Sequence, residues 1–146
     1  MNTKQDSERS LPERGPPAPL NHCVLLADAD PGIRAVVAGI AAELGLKTLA
    51  ASNGPDALRL YAANAESIAV VVLDLTLPGM GGPGALAAIR SLRIDVPVVL
   101  CSSVASQTSE EIAGRDRSSF VLKPLARTAF KEHLAEVLRA HTRQVG

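Results

Sequence analysis

The chain has no tryptophan, one tyrosine and two phenylalanines, so aromatics make up only 2% of its 146 residues. That scarcity counts against base-stacking platforms and aromatic cages, which need several exposed rings. Net charge is missing as well, because fifteen Lys and Arg balance fifteen Asp and Glu. Without a basic excess there is no electrostatic footprint for nucleic acid or for an anionic membrane, and neither partner is expected. Cysteine is scarce. Cys23 and Cys101 stand apart in apolar runs, without zinc-type spacing or the density of a disulfide framework, and they read as small buried hydrophobes. There is no charged-then-apolar leader and no apolar run long enough to span a bilayer, so a soluble, cytoplasmic protein is expected. Internal repeats are absent too.

Residues 1–21 are polar and carry Pro12, Pro16, Pro17 and Pro19 without apolar periodicity, which predicts a disordered tail. From His22 the pattern alternates. Short apolar runs at 23–27, 47–51, 68–73, 96–101 and 119–122 read as strands, and amphipathic segments between them read as helices. Asp30 and Pro31 suit a helix cap and the first helical position. Ile33, Val36, Val37, Ile40, Ala41 and Leu44 then fall on one face, and Gly45 is a natural stop. Asn53 or Ser52 caps a second helix with Ala57, Leu58, Leu60 and Tyr61. A third helix runs over 82–92 with Leu86 and Ile89 inward, a short weak one over 106–113, and a last one over 127–140 with Phe130, Leu134, Val137 and Leu138 on its stripe. His22, His133 and His141 read as surface residues. Five strand–helix alternations predict a doubly wound α/β domain over 22–140, with right-handed crossovers and a polar tail at 141–146.

In open α/β sheets ligands bind at the carboxyl edge of the strands. The third run, Val70-Val71-Val72-Leu73, leads straight into Asp74 and then into Pro78-Gly79. Just past the other strand ends lie Asp28 and Asp30, Ser102 and Ser103, and Lys123. Carboxylates without histidine or thiolate suit a hard ion, Mg²⁺ above zinc. A carboxylate can act as nucleophile toward phosphorus, with a lysine and a hydroxyl offsetting the charge that moves. These pieces fit an aspartyl-phosphate site.

Taken in order, L-L-A-D-A-D-P-G, V-L-D-L-T-L-P-G-M-G-G, V-V-L-C-S-S and F-V-L-K-P-L resemble the landmarks of the receiver domain of two-component response regulators. The resemblance spans about Cys23 to Arg139. It implies a flavodoxin-like, five-stranded parallel sheet of order 2-1-3-4-5 with helices on both faces. It implies that Asp74 accepts a phosphoryl group from a histidine kinase or a histidine phosphotransfer protein, with Ser102 and Lys123 on the phosphate and a cis Lys123–Pro124 bond. It further implies Mg²⁺ on Asp28, Asp74 and the Thr76 carbonyl, with Asp30 as a further candidate ligand. Ser102 and Phe120 would form the switch that addresses a downstream protein partner or a second copy of the chain.

The pattern departs from the family at Ala29, where a second acid normally ligates the metal, and at Phe120, which lacks the hydroxyl of a switching tyrosine. The segment Arg115-Asp116-Arg117-Ser118-Ser119 is also more polar than usual. No effector domain is expected after Arg139, so the receiver stands alone, relays phosphate, or belongs to a hybrid kinase. Two other readings remain beside it. Asp28-Ala29-Asp30 matches by letter the opening motif of a phosphatase of the haloacid dehalogenase type, with Asp28 as its nucleophile. Ala29 also suits a pseudo-receiver that binds its partner without phosphorylation.

Overall fold

The five apolar runs form five parallel strands in the order β2-β1-β3-β4-β5, in a computed structural model that describes residues 22–103 and 107–145. β1 (Cys23–Ala27), β3 (Ile68–Asp74) and β4 (Val98–Ser102) are buried along their whole length. That is why they are continuously apolar: both faces are covered, so no alternation with polar residues is possible. β2 (Lys47–Ala51) and β5 (Ser119–Leu122) form the edges and are more exposed. Ala27 pairs with Leu73, and Asp74 with Cys101, which brings the carboxyl ends of the central strands level.

Successive strand residues point to opposite faces, and the core divides accordingly. Leu25, Val71, Leu73 and Leu100 meet α2 (Gly54–Asn64), α3 (Gly81–Leu92) and α4 (Gln107–Asp116) through Ala57, Tyr61, Leu86, Ile89 and Ala113. Val24, Leu26, Val70, Val72 and Val99 meet α1 (Pro31–Glu43) and α5 (Arg127–Val145) through Val37, Ile40, Phe130 and Leu134. Fully burying an aliphatic or aromatic side chain of this size stabilises by about 1.5–3 kcal/mol. The expected order and two-sided helical cover are both observed. No helix among the described residues is long and apolar enough to cross a membrane.

Local signals work as anticipated at the caps. The Asp30 carboxylate accepts the Gly32 N–H at 2.7 Å, and Asn53 accepts the Asp56 N–H at 2.8 Å. Both cysteines are free and buried. Burial pushes the Cys101 thiol up to about 12, so it behaves as a hydrophobe rather than a nucleophile.

Several boundaries differ. Val36 is 37% exposed instead of inward; Val37, Ile40 and Ala41 are the fully buried residues of α1, with Ile33 and Leu44 packed beside them. β4 starts at Val98, two residues late, since Pro97 has no N–H for the ladder; its carbonyl still accepts from Val71 N–H at 2.9 Å. α4 runs three residues past Ala113 before Ser118 N–H bonds the Ala113 carbonyl and Arg117 N–H the Gly114 carbonyl. This pairing is a Schellman ending, with Arg117 at φ 63° in the position where glycine is favoured. α5 continues five residues past Ala140, to Val145. The expected N-terminal tail, residues 1–21, lies outside the described residues.

His133 also departs from expectation. It is half-buried rather than on the surface, beside Leu134 and one turn from Phe130 on the packed stripe of α5, and its Nε2 is buried with no hydrogen-bond partner among the described residues. Burial holds its pKa below the ordinary 6.5, countered only in part by Glu136. The folded state therefore keeps the neutral ring, whereas the unfolded chain takes up a proton as pH falls through about 6.5. Stability is present above that pH and declines as pH drops toward the folded value. Urea midpoints are expected to fall on going from pH 7 to pH 5.5, and His133→Leu is expected to remove that part of the slope.

Candidate functional site

At the carboxyl edge of the sheet, Asp28 follows β1, Asp74 ends β3, Ser102 ends β4 and Lys123 follows β5. Asp28, Asp74 and Ser102 are the buried polar residues of the described chain, at 3%, 5% and 3% exposure. Burying carboxylates is costly unless they are paired and hydrogen-bonded, and here they are. Lys123 Nζ lies 2.7 Å from Asp28 Oδ2 and 3.3 Å from Asp74 Oδ2. Asp28 Oδ1 accepts the Asp30 N–H at 2.9 Å. Asp74 Oδ1 accepts both the N–H and the hydroxyl of Thr76, each at 3.0 Å. One lysine thus joins two carboxylates whose positions lie 95 and 49 residues away in sequence.

Lys123 is oriented by the fold around it. Its N–H bonds the Ser102 carbonyl at 2.8 Å, continuing the β4–β5 ladder beyond the strand, and its bond to Pro124 is cis, as the resemblance implied. Burial alone would lower the pKa of its ammonium. The hydrogen bond and charge of Asp28, followed by those of Asp74, outweigh that penalty and leave the pKa raised, so the lysine is a fixed cation at neutral pH. Ser102 sits buried at the strand end while Ser103 is exposed, which separates the two candidate hydroxyls. Phe120 is half-buried and packs against the core on the α4 side of the sheet.

Asp30 stands apart from this group. Its side chain is exposed and engaged with the cap of α1. Ala29 is exposed beside it and contributes no oxygen. Among the described residues no cluster of three His, Cys, Asp or Glu could hold a metal. Mg²⁺, however, usually takes one or two protein carboxylates and completes its shell with water and phosphate oxygens. Two buried carboxylates sharing one cation satisfy that requirement, with less anionic charge than a three-acid site would offer.

Two positioning residues escaped the sequence reading. Arg34, in the first turns of α1, donates through Nη1 to the Asp28 carbonyl at 2.7 Å and so braces the turn that carries the first acid. An arginine at that helical position carries no distinguishing pattern. Gly82 lies where a Cβ would stand 2.3 Å from Leu75 Cα and 2.6 Å from the Asp74 carbonyl oxygen. Its N–H bonds the Leu75 carbonyl at 3.2 Å. The glycine lets α3 start directly against the backbone that presents Asp74. The Gly81-Gly82 pair in the motif was a signal that backbone had to approach backbone here.

The family model described as "Response regulator receiver domain" matches residues 24–135. Among curated proteins, Regulatory protein AtoC of Escherichia coli is 31% identical over 102 residues, covering 69% of this chain and 22% of that protein. Ethylene receptor 2 of Oryza sativa is 29% identical over 120 residues, covering 80% of this chain and 16% of that protein. The chain therefore spans a minor part of the length of these relatives. Among solved structures, one from the CheX–CheY–BeF3–Mg²⁺ complex of Borrelia burgdorferi superposes with a TM-score of 0.74 at 23% identity, covering 80% of this chain and 88% of that one. This likeness bears on the fold.

Proposed function

The chain belongs to the response regulator receiver domain family, and on that premise we propose that it is a phosphoacceptor module whose Asp74 takes a phosphoryl group from the phosphohistidine of a histidine kinase or histidine phosphotransfer protein. A carboxylate oxygen of Asp74 attacks phosphorus, the P–N bond breaks, and the donor imidazole departs with the electron pair and takes up a proton. The observation that carries this reading is the shared ion pair: Lys123 Nζ touches the carboxylates of both Asp28 and Asp74. A fixed ammonium at that point offsets the charge of an incoming phosphoryl group, and Ser102 supplies a hydroxyl from the neighbouring strand. Asp28, Asp74 and the Thr76 carbonyl would hold Mg²⁺, which supplies neutralisation of the phosphoryl oxygens when bound. The acyl phosphate adds about 1.5–2 negative charges at Asp74. Ser102 and Phe120 then pass the change to a face that meets a downstream protein or a second copy of the chain.

Treatment with acetyl phosphate and Mg²⁺, read by intact mass and peptide mapping, is expected to place one phosphoryl group on Asp74, and Asp74→Asn is expected to take up none. A label on Asp28 would instead support haloacid-dehalogenase chemistry. No label at all would support the phosphorylation-independent pseudo-receiver, the reading that Ala29 favours.

Ala29 makes its own prediction. Metal affinity in oxygen sites follows the number of anionic ligands. Ala29→Asp is expected to tighten Mg²⁺ binding by roughly tenfold, measured as amide shifts at Asp74 during a Mg²⁺ titration. An unchanged midpoint would show that position 29 does not reach the ion.

A further inference from the structure

A cleft of about 630 Å³ opens at the opposite edge of the sheet from Asp74. It lies where β4 and β5 begin, between the α3–β4 loop, the end of α4 and the last turns of α5. Ile94, Pro97, Val137 and Ala140 give it apolar walls, and Ile94, 79% exposed, stands at its mouth. The volume falls within the range of pockets that take small organic molecules.

Its polar groups are few and are sorted by charge. Each of the two carboxylates lining the cleft already has a cation. Asp116 is held by Arg90 through two bonds of 2.8 Å, and Asp95 by Arg93 at 2.9 Å. Arg115 and Arg117 also line the cleft and form no ion pair among the described residues. The uncommitted charge is therefore positive. Ser119 also lines the cleft, and its Oγ is buried with no hydrogen-bond partner among the described residues, a state that costs free energy.

Arg117 carries a further indication. It occupies the left-handed position that ends α4, at φ 63°, where glycine would be free of strain. An arginine held there against its backbone preference, with its residue lining a cleft, is what a site under functional constraint presents.

We propose that this cleft binds a small organic anion, with an apolar body against Ile94, Pro97 and Val137 and an acidic group met by Arg115 and Arg117. Guanidinium groups pair with carboxylate and phosphate alike through two parallel N–H bonds, so the acidic group belongs to either class. The cleft and Asp74 lie at opposite ends of the strands, so binding in the cleft does not depend on phosphoryl transfer.

The test is an amide-shift titration of the full 146-residue chain with sodium octanoate and, separately, with octyl phosphate. Octanol and inorganic phosphate serve as controls that lack the charge or the apolar body. Saturable shifts are expected at Ile94, Ser119, Val137 and Ala140 with one or both anions, and not with either control; the stronger of the two identifies the acidic group. The double variant Arg115→Gln/Arg117→Gly is expected to weaken binding about tenfold or more. Arg117→Gly relieves the left-handed strain, so it is expected to raise the thermal midpoint, which separates loss of binding from loss of fold. Several outcomes would overturn the proposal: no saturable shift with either anion at millimolar concentration, equal binding by octanol or inorganic phosphate, unchanged affinity in the double variant, or shifts centred on Asp74 and Lys123.

Discussion

Lys123→Met is expected to destabilise the protein by about 3 kcal/mol at neutral pH and to slow phosphoryl uptake by on the order of a hundredfold. Methionine preserves much of the apolar stem, so the loss isolates the ammonium. Asp28 and Asp74 are both nearly excluded from water, and Lys123 is the cation touching each of them. Removing it leaves two buried like charges with hydrogen bonds but without that counter-charge, which is where the cost of breaking a buried pair arises. In the proposed phosphoacceptor role the same ammonium would be the counter-charge for a phosphoryl group on Asp74, so stability and reactivity are expected to fall together. The sign of the pH dependence follows from the raised pKa of Lys123. A cation whose pKa is higher folded than unfolded contributes fully below the unfolded value, here the ordinary 10.5, and its contribution fades as pH rises through the folded one. The stability gap between wild type and variant, from urea midpoints, is expected to stay constant from pH 7 to 9 and to close only in stronger alkali. A gap that closed near neutrality would show that the lysine does not hold the two carboxylates.

Gly82→Ala is expected to cost about 3 kcal/mol or more, at the upper end of what an added methyl costs in a packed site. The three atoms its Cβ would meet, between 2.3 and 2.8 Å away, all belong to the backbone of Asp74 and Leu75. No side-chain rotation relieves such a clash; either α3 retreats or the turn after β3 moves. Either way Asp74 is displaced relative to Lys123, so phosphoryl uptake is expected to fall along with the urea midpoint. Gly54→Ala is the matching control. Its Cβ would meet Met80 Cγ at 2.4 Å, but Met80 is an exposed, unbranched side chain that can swing away. It is expected to cost less than about 1 kcal/mol. Equal losses in the two variants would mean that the approach of α3 to Leu75 is not what positions Asp74.

Much of the architecture was legible from the chain alone. Continuous apolar runs marked β1, β3 and β4, because a strand covered on both faces has nowhere to place polar residues. Asp30 and Asn53 announced the starts of α1 and α2, since capping is a local contact between residues two or three positions apart. The ends of α4 and α5 were less legible. Gln107–Asp116 has weak apolar periodicity and its terminus depends on a left-handed Arg117, a residue type that does not advertise a helix end. His133 was misplaced for a related reason: whether a histidine beside an apolar stripe is covered depends on what packs against the stripe.

At the site the division is sharper. The residues' identities and their places after strands were set by sequence, because a parallel sheet sends every strand end to one edge and a carboxylate after an apolar run must emerge there. Which groups touch was decided only by the tertiary structure. Asp28 and Lys123 are 95 positions apart, and no local rule says that one lysine serves both acids, that Ser102 and not Ser103 is buried, or that Asp30 turns to its helix cap instead. Those outcomes follow from the register of β1, β3, β4 and β5 and from the requirement that each buried charge find its partner.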